Sequence, residues 1–352
     1  MAEGDGAGLE HPLVTGALLT RALGEFDQLR DYVQTATVRD PSWGDNTASA
    51  VFAADVLRGE EPPDRWRSIA RLVRNRWKTD DSGELPTYVH GVPSEAADFD
   101  VIHRRMIDED RAGVLHQAEM QAGRIDMDLF RRTWTVGLLL SLEGEAPDPD
   151  PERLGRLRKS AARAMATDGS FYPRRVPWVT ARVVLGLAGV GDTVDTSDTV
   201  EKACEWLLRA RDKGPYDLGV WASGTGTWNS TVETTAMCLS ALMHANWPAR
   251  DERIRTGTAY LLATKAQWRE TGHESDAAQA IEAIVRAGLP WQTIAPELDR
   301  LLAWYSNREP WTRTTVSASE SQEESSKVPW VASSLLSVLR MLSDLAPTRL
   351  SE

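Results

Sequence analysis

The sequence predicts an all-α protein, an α/α toroid of about six helical hairpins with inner and outer rings of parallel-running helices. Three observations lead there. A phrase recurs along the chain in which a Gly/Ser/Thr-rich turn holding Trp runs into an apolar helix. It is clearest at 221–245, WASGTGTWNSTVETTAMCLSALMHA. An amphipathic helical segment precedes each copy, so the repeating unit is a helix, a polar loop and a second, more uniformly apolar helix. Finally, alternating Val/Ile/Thr runs bounded by hairpin turns are scarce.

The units follow one another over 12–58, 63–143, 151–190, 197–246, 250–288 and 293–343, as a single domain over 1–352. In the first, a helix around 12–37 leads through RDPSWGDN to TASAVFAADVL, which starts at Thr47. The second pairs 63–77 with TWTVGLLLSL at 133–142, and the third joins 151–165 to VPWVTARVVLGL at 176–187. The fourth runs from 197–211 into TVETTAMCLSALM, and the fifth from 250–268 into 276–287. The sixth joins 293–307 to VPWVASSLLSVLRML at 328–342, so VPWV occurs twice, three units apart.

Punctuation supports these boundaries. Pro63, Pro151 and Pro296 fall in or near first turns, where a missing N–H costs nothing. Ser197 or Asp198 is placed to cap the fourth unit's first helix, and Gly144, Gly189 and Gly288 follow second helices, where a left-handed residue is wanted. Second helices that are apolar all round belong inside, and amphipathic first helices outside. The departure from regularity is a segment inserted at 83–130, longer than a connection needs and placed over the rim.

Composition narrows the function. A net charge of −12 speaks against nucleic acid as the main partner, because duplex binding needs a clustered basic surface. Two cysteines, Cys204 and Cys238, give neither a disulfide framework nor a zinc pattern. MAEGDGAGLEHP lacks the basic and apolar regions of a signal peptide, and no apolar run is long enough for a membrane span, so a cytoplasmic location is expected. Fourteen tryptophans outnumber the five Phe and six Tyr together, and many hold comparable places in the repeat, which points to packing.

The loop-and-helix phrase resembles that of the terpenoid cyclase and protein prenyltransferase superfamily, whose repeats read roughly Asp-Gly-Ser-Trp, a spacer, then Thr-Ala and an apolar helix. TDGSFYPRRVPWVTARVVLGL and TGTWNSTVETTAMCLSAL carry the likeness best, and DPSWGDNTASAVFAADVL fairly well. It extends over most of the chain and is specific for fold rather than activity. It implies an isoprenoid-handling, cyclase-like protein with an apolar central cavity. In the class II cyclases of that superfamily the middle Asp of Asp-x-Asp-Asp-Thr-Ala donates the proton. Aligned on Thr-Ala, WGDNTA places Asp45 there and TVETTA places Glu233, both without the flanking carboxylates that tune such a donor. Each is equally an ordinary acidic residue in a helix's first turn.

Topology adds candidates for binding. Inner helices that all run one way bring their N-termini to one rim, a positive field suited to a diphosphate or another anion. Arg131, Arg132, Arg174, Arg175 and Lys327 stand just before three inner helices, although long cations there also simply reach water. Trp134, Trp178 and Trp330 start those helices, with Trp228 in the fourth loop. Each either faces inward, where its ring suits a carbocation, or packs against neighbours. His273, Glu274 and Asp276 form a weak acid/base or metal pattern at the fifth loop, and DFD (98–100) and DED (108–110) read as solvated acids. The zinc ligands of prenyltransferases and lanthionine cyclases are missing, so no cofactor or metal is expected. Two functions stand side by side: an isoprenoid-handling enzyme that takes a small apolar or prenyl-diphosphate ligand and cyclises it by metal-independent protonation, or a non-catalytic toroid that docks a protein or anionic ligand at its rim and inserted segment.

Overall fold

The computed structural model describes residues 12–39, 47–59, 62–79, 81–82, 84–88, 127–144, 146–171, 176–191, 194–213, 219–221, 231–268, 274–290, 293–306 and 331–341. They are mostly helical, as an all-α sequence requires. In chain order the helices are α1 (Pro12–Arg39), α2 (Thr47–Leu57), α3 (Asp64–Arg76), α4 (Met127–Gly144), α5 (Pro151–Ala164), α6 (Pro177–Gly189) and α7 (Val194–Arg209). Then come α8 (Thr231–His244), α9 (Glu252–Ala263), the short α10 (Lys265–Trp268), α11 (Glu274–Arg286), α12 (Ala295–Ser306) and α13 (331–341).

First and second helices differ as the patterning dictates. α5 buries Leu154, Leu157, Ala161 and Ala164, one stripe at helical spacing. Asp150 caps it by accepting from the amides of Glu152 and Arg153, with Pro151 in the first turn. α6 instead buries Trp178, Val179, Ala181, Val183, Val184 and Leu187 around its whole circumference. The second helices pack on one another in sequence: α2 on α4, α4 on α6, α6 on α8 and α8 on α11. The contact of α4 with α6 is made by glycines. A β-carbon on Gly186 would lie 2.4 Å from the Gly137 carbonyl oxygen, and one on Gly137 would lie 2.6 Å from that of Arg182.

α13 has polar partners on two sides. Arg286 of α11 donates to Ser337 at 2.8 Å, while Ser333 donates to Asp55 of α2 at 2.5 Å and Arg340 pairs with Asp55 at 3.8 Å. Among the first helices, α1 packs against α12, joined by an Arg21–Asp299 ion pair. A buried carboxylate pins another junction: Glu143 of α4 accepts from Arg74 of α3 (2.8 and 2.6 Å) and from Arg153 of α5 (2.6 Å).

The Thr of each Thr-Ala pair has a definite task. Thr235 Oγ1 accepts from the Trp221 amide and donates to the Trp221 carbonyl; Thr180 Oγ1 accepts from the Phe171 amide; Thr47 Oγ1 accepts from the Trp77 indole of the next hairpin. Beside these aromatics lie short antiparallel pairings: β1 (Trp77–Lys78) with β2 (Thr87–Tyr88), Met165 with Phe171, and β3 (Asp212–Lys213) with β4 (Gly219–Val220). In two hairpins the aromatic side chain also reaches back, the Trp221 indole donating to Leu207 and the Trp268 indole to Leu261. The loop thus fastens the end of the first helix to the start of the second.

Several boundaries differ from the sequence expectation. α4 begins at Met127, so Arg131 and Arg132 lie within a helix rather than before one. α7 begins at Val194, which puts Ser197 and Asp198 inside it rather than at its cap. Gly144 and Gly189 are the last helical residues, and the left-handed turn after α6 falls on Gly191 (φ 77°); Gly288 (φ 75°) does take that role after α11. Of the insertion at 83–130, only 84–88 and 127–130 are among the described residues. No helix among the described residues is long and apolar enough to cross a membrane.

Candidate functional site

All six second helices, α2, α4, α6, α8, α11 and α13, contribute to the walls of one cavity of about 360 Å³. The contributions follow helical spacing. Arg182, Leu185 and Gly189 come from α6; Met237, Ser240 and His244 from α8; Gln279, Glu282 and Arg286 from α11. Each trio is spaced i, i+3, i+7, a single stripe along one helix face. Exposure rises toward the C-terminal ends, from buried Arg182 and Met237 to exposed Gly189, His244 and Arg340.

The lining is mixed rather than apolar. Phe52, Leu138, Leu185 and Met237 share it with Ser141, Ser240, Ser333, Ser334 and Ser337, and with four arginines (58, 182, 286 and 340) against two carboxylates, Asp55 and Glu282. Most of these charges are committed. Asp55 takes the Ser333 hydroxyl and lies 3.6 Å from Arg58, while Glu282 accepts from Arg286 at 3.2 Å. Cationic side chains at helix C-termini also gain from the helix dipole.

Arg182 is different. It is 9% exposed, its Nε has no hydrogen-bond partner, and among the described residues no ion pair reaches its guanidinium. The Phe52 ring lies beneath it, 5.0 Å from Cζ to the centroid. Burial pushes its pKa down to about 10, against the opposing charges of Glu282 and Glu233, so it stays protonated at neutral pH. At the mouth, withdrawal of part of the His244 ring from water, and then the positive charges of Arg286 and Arg182, push its imidazole down to about 4, so it is neutral near pH 7 although the residue is exposed overall.

Four predicted site residues have side chains among those described, and none of the four borders the cavity. Glu233 is 3% exposed in the first turn of α8 and accepts a 2.8 Å bond from the amide of Gln279, which does line the cavity. Arg132 donates to the carbonyls of Pro86 (3.0 Å) and Leu85 (2.7 Å), which ties down the chain after β1. Trp134 and Trp178 are buried and meet edge to face, centroids 5.3 Å apart, and neither borders the cavity. The Arg131 side chain, Asp45, Arg174, Arg175, Trp228, Lys327 and Trp330 lie outside the described residues, as does His273. Asp276 is buried in α11. Among the described residues no group of three His, Cys, Asp or Glu side chains is placed to hold a metal ion, and both cysteines are buried and free.

Sequence patterning points to binding at the N-terminal ends of the second helices and does not single out Arg182, Ser240, His244, Gln279, Glu282 or Arg286, all of which line the cavity. A usable signal was present in Arg182, a lone charge in the apolar run VPWVTARVVLGL. Comparison with family models, curated proteins and solved structures returned no match to this chain.

Proposed function

We propose that the six hairpins close into an α/α toroid whose central cavity binds a small ligand without converting it, non-catalytic like the second of the two functions the sequence suggests but with the ligand at the centre rather than the rim. The observation that carries this reading is the cavity wall itself, to which all six second helices contribute a stripe of side chains. Its volume lies within the range of small-molecule sites, about 300–1,000 Å³. The superfamily resemblance adds isoprenoids as a ligand class. Phe52, Leu138, Leu185 and Met237 suit a short prenyl chain, and the arginines suit its diphosphate or another anionic end.

Cyclisation initiated by protonation is the weaker reading. Glu233 does not border the cavity; Gln279, whose amide it accepts from, stands in the wall in its place. The serines and paired charges of the lining would also offer nucleophiles to a carbocation.

The test is to fill the cavity. Ser240 is buried in its wall, and Ser240→Trp would occupy much of the space. Equilibrium dialysis against geraniol and geranyl diphosphate should show wild-type binding of at least one and at least a tenfold loss in Ser240→Trp. Unchanged binding in the variant would place the ligand elsewhere. Conversion of geranyl diphosphate to a cyclic product by the pure protein, abolished by Glu233→Gln, would restore the catalytic reading.

A further inference from the structure

We propose that Arg182 is the seat for a carboxylate or phosphate group, so the ligand of the central cavity is a small molecule that buries an anionic end deep among the second helices. This rests on the cavity reading above and adds which end of the ligand goes where.

Three observations carry it. First, Arg182 lies in the middle of α6, a helix otherwise buried by apolar side chains, and it borders the cavity at its deep end. A guanidinium withdrawn from water ordinarily lies against a carboxylate or a set of carbonyls. Here no such partner is within reach among the described residues, and Nε is sealed from solvent without a hydrogen bond. The Phe52 ring at 5.0 Å supports the cation without accepting any of its N–H bonds. Its donors are therefore unspent.

Second, the carboxylates that act on Arg182 through space are both engaged by other groups. Glu282 pairs with Arg286 at 3.2 Å, and Glu233 takes the Gln279 amide at 2.8 Å. Those bonds hold them away from Arg182 and leave the opening in front of it for a guest. A carboxylate or phosphate matches the planar fork of a guanidinium, which offers two parallel N–H bonds to such groups.

Third, the surroundings at that depth are apolar. Leu138, Leu185 and Met237 share the wall with Arg182, and an anion bound there is shielded from water, which strengthens the pairing. The apolar remainder of the ligand then lies along Leu138, Leu185 and Met237, the side chains suited to a prenyl chain, and points toward the mouth past Ser240.

The test measures binding of four probes with one tail (octanoate, octyl phosphate, octanol and octylammonium) by isothermal titration to the full chain. At least one of the two anions should bind tenfold or more tightly than octanol, and octylammonium should not bind. Arg182→Gln should bring the anion to the level of octanol. Arg182→Lys, which keeps the charge but not the fork, should bind between the two, and it carries the test if the glutamine variant fails to fold. Octanol binding as tightly as both anions, or an anion bound equally well after either substitution at Arg182, overturns the seat. If that binding is still lost in Ser240→Trp, the cavity reading survives. Octyl phosphate binding untouched by Ser240→Trp overturns both, and no binding of any probe up to millimolar concentration overturns the anion seat.

Discussion

Gly186→Ala should destabilise the protein, although alanine is the better helix former. The added β-carbon would stand 2.4 Å from the Gly137 carbonyl oxygen and 2.9 Å from Leu140 Cβ. The first is backbone, so no rotamer change relieves it, and α4 and α6 must separate by something under about 1 Å in an interior packed at crystal-like density. Overpacking of this kind costs about 1–3 kcal/mol, against roughly 0.5–1 kcal/mol gained by removing a helical glycine. A net loss of about 1 kcal/mol follows. With an unfolding entropy of about 2.1 cal/mol/K per residue over 352 residues, that lowers Tm by about 1–2 °C. Gly155→Ala is the control. Gly155 lies inside α5 with nothing within 4 Å of its would-be β-carbon, so this variant should be stabilised by about 0.5–1 kcal/mol. Differential scanning calorimetry and urea midpoints measure both. Equal stabilisation of the two variants would refute the close crossing of α4 and α6.

Two further predictions concern charge. Glu143→Ala removes the fully buried carboxylate between Arg74 and Arg153; it should cost about 3–5 kcal/mol in urea unfolding, because Arg153 Nη2 is already buried without a partner and the cation would lose its counter-charge. His244 gives a pH signature. Its folded pKa, depressed to about 4, lies below the ordinary value of 6.5, so the unfolded chain takes the proton first as pH falls. Its contribution to stability is therefore complete above about 6.5 and is lost between there and about 4. Tm measured across that window should fall less steeply in His244→Asn than in the wild type. Parallel profiles would show that neither burial nor the charges of Arg286 and Arg182 hold the His244 pKa down.

The helices were legible because their signals are local. Apolar periodicity and the Thr-Ala starts placed α2, α5 and α11 to within a couple of residues. The loops were less so, because the aromatic that meets Thr235 is Trp221, fourteen positions earlier, whereas the Phe171–Thr180 separation is nine. A loop of variable length hides that pairing. The site was harder still. The dipole argument favours anions at helix N-termini, yet Arg132 is spent on two loop carbonyls, and the cavity opens among cationic residues toward the C-terminal ends. What joins Arg182, Ser240, Gln279 and Glu282 is the register between helices. No single helix's pattern contains it.

The central claim is that the six second helices close on themselves, with α13 seated between α11 and α2. The most direct measurement is a cross-link between the positions of Asp55 and Ser333, whose side chains meet at 2.5 Å across 278 residues of sequence. In the double variant Asp55→Cys/Ser333→Cys, mild oxidation should join the two introduced thiols in a disulfide, read by peptide mass spectrometry and by faster migration on a non-reducing gel. Cys204 and Cys238, buried and with their thiol pKa values raised, should remain reduced. Both introduced thiols staying free in a protein that keeps its helical circular dichroism would contradict the closure.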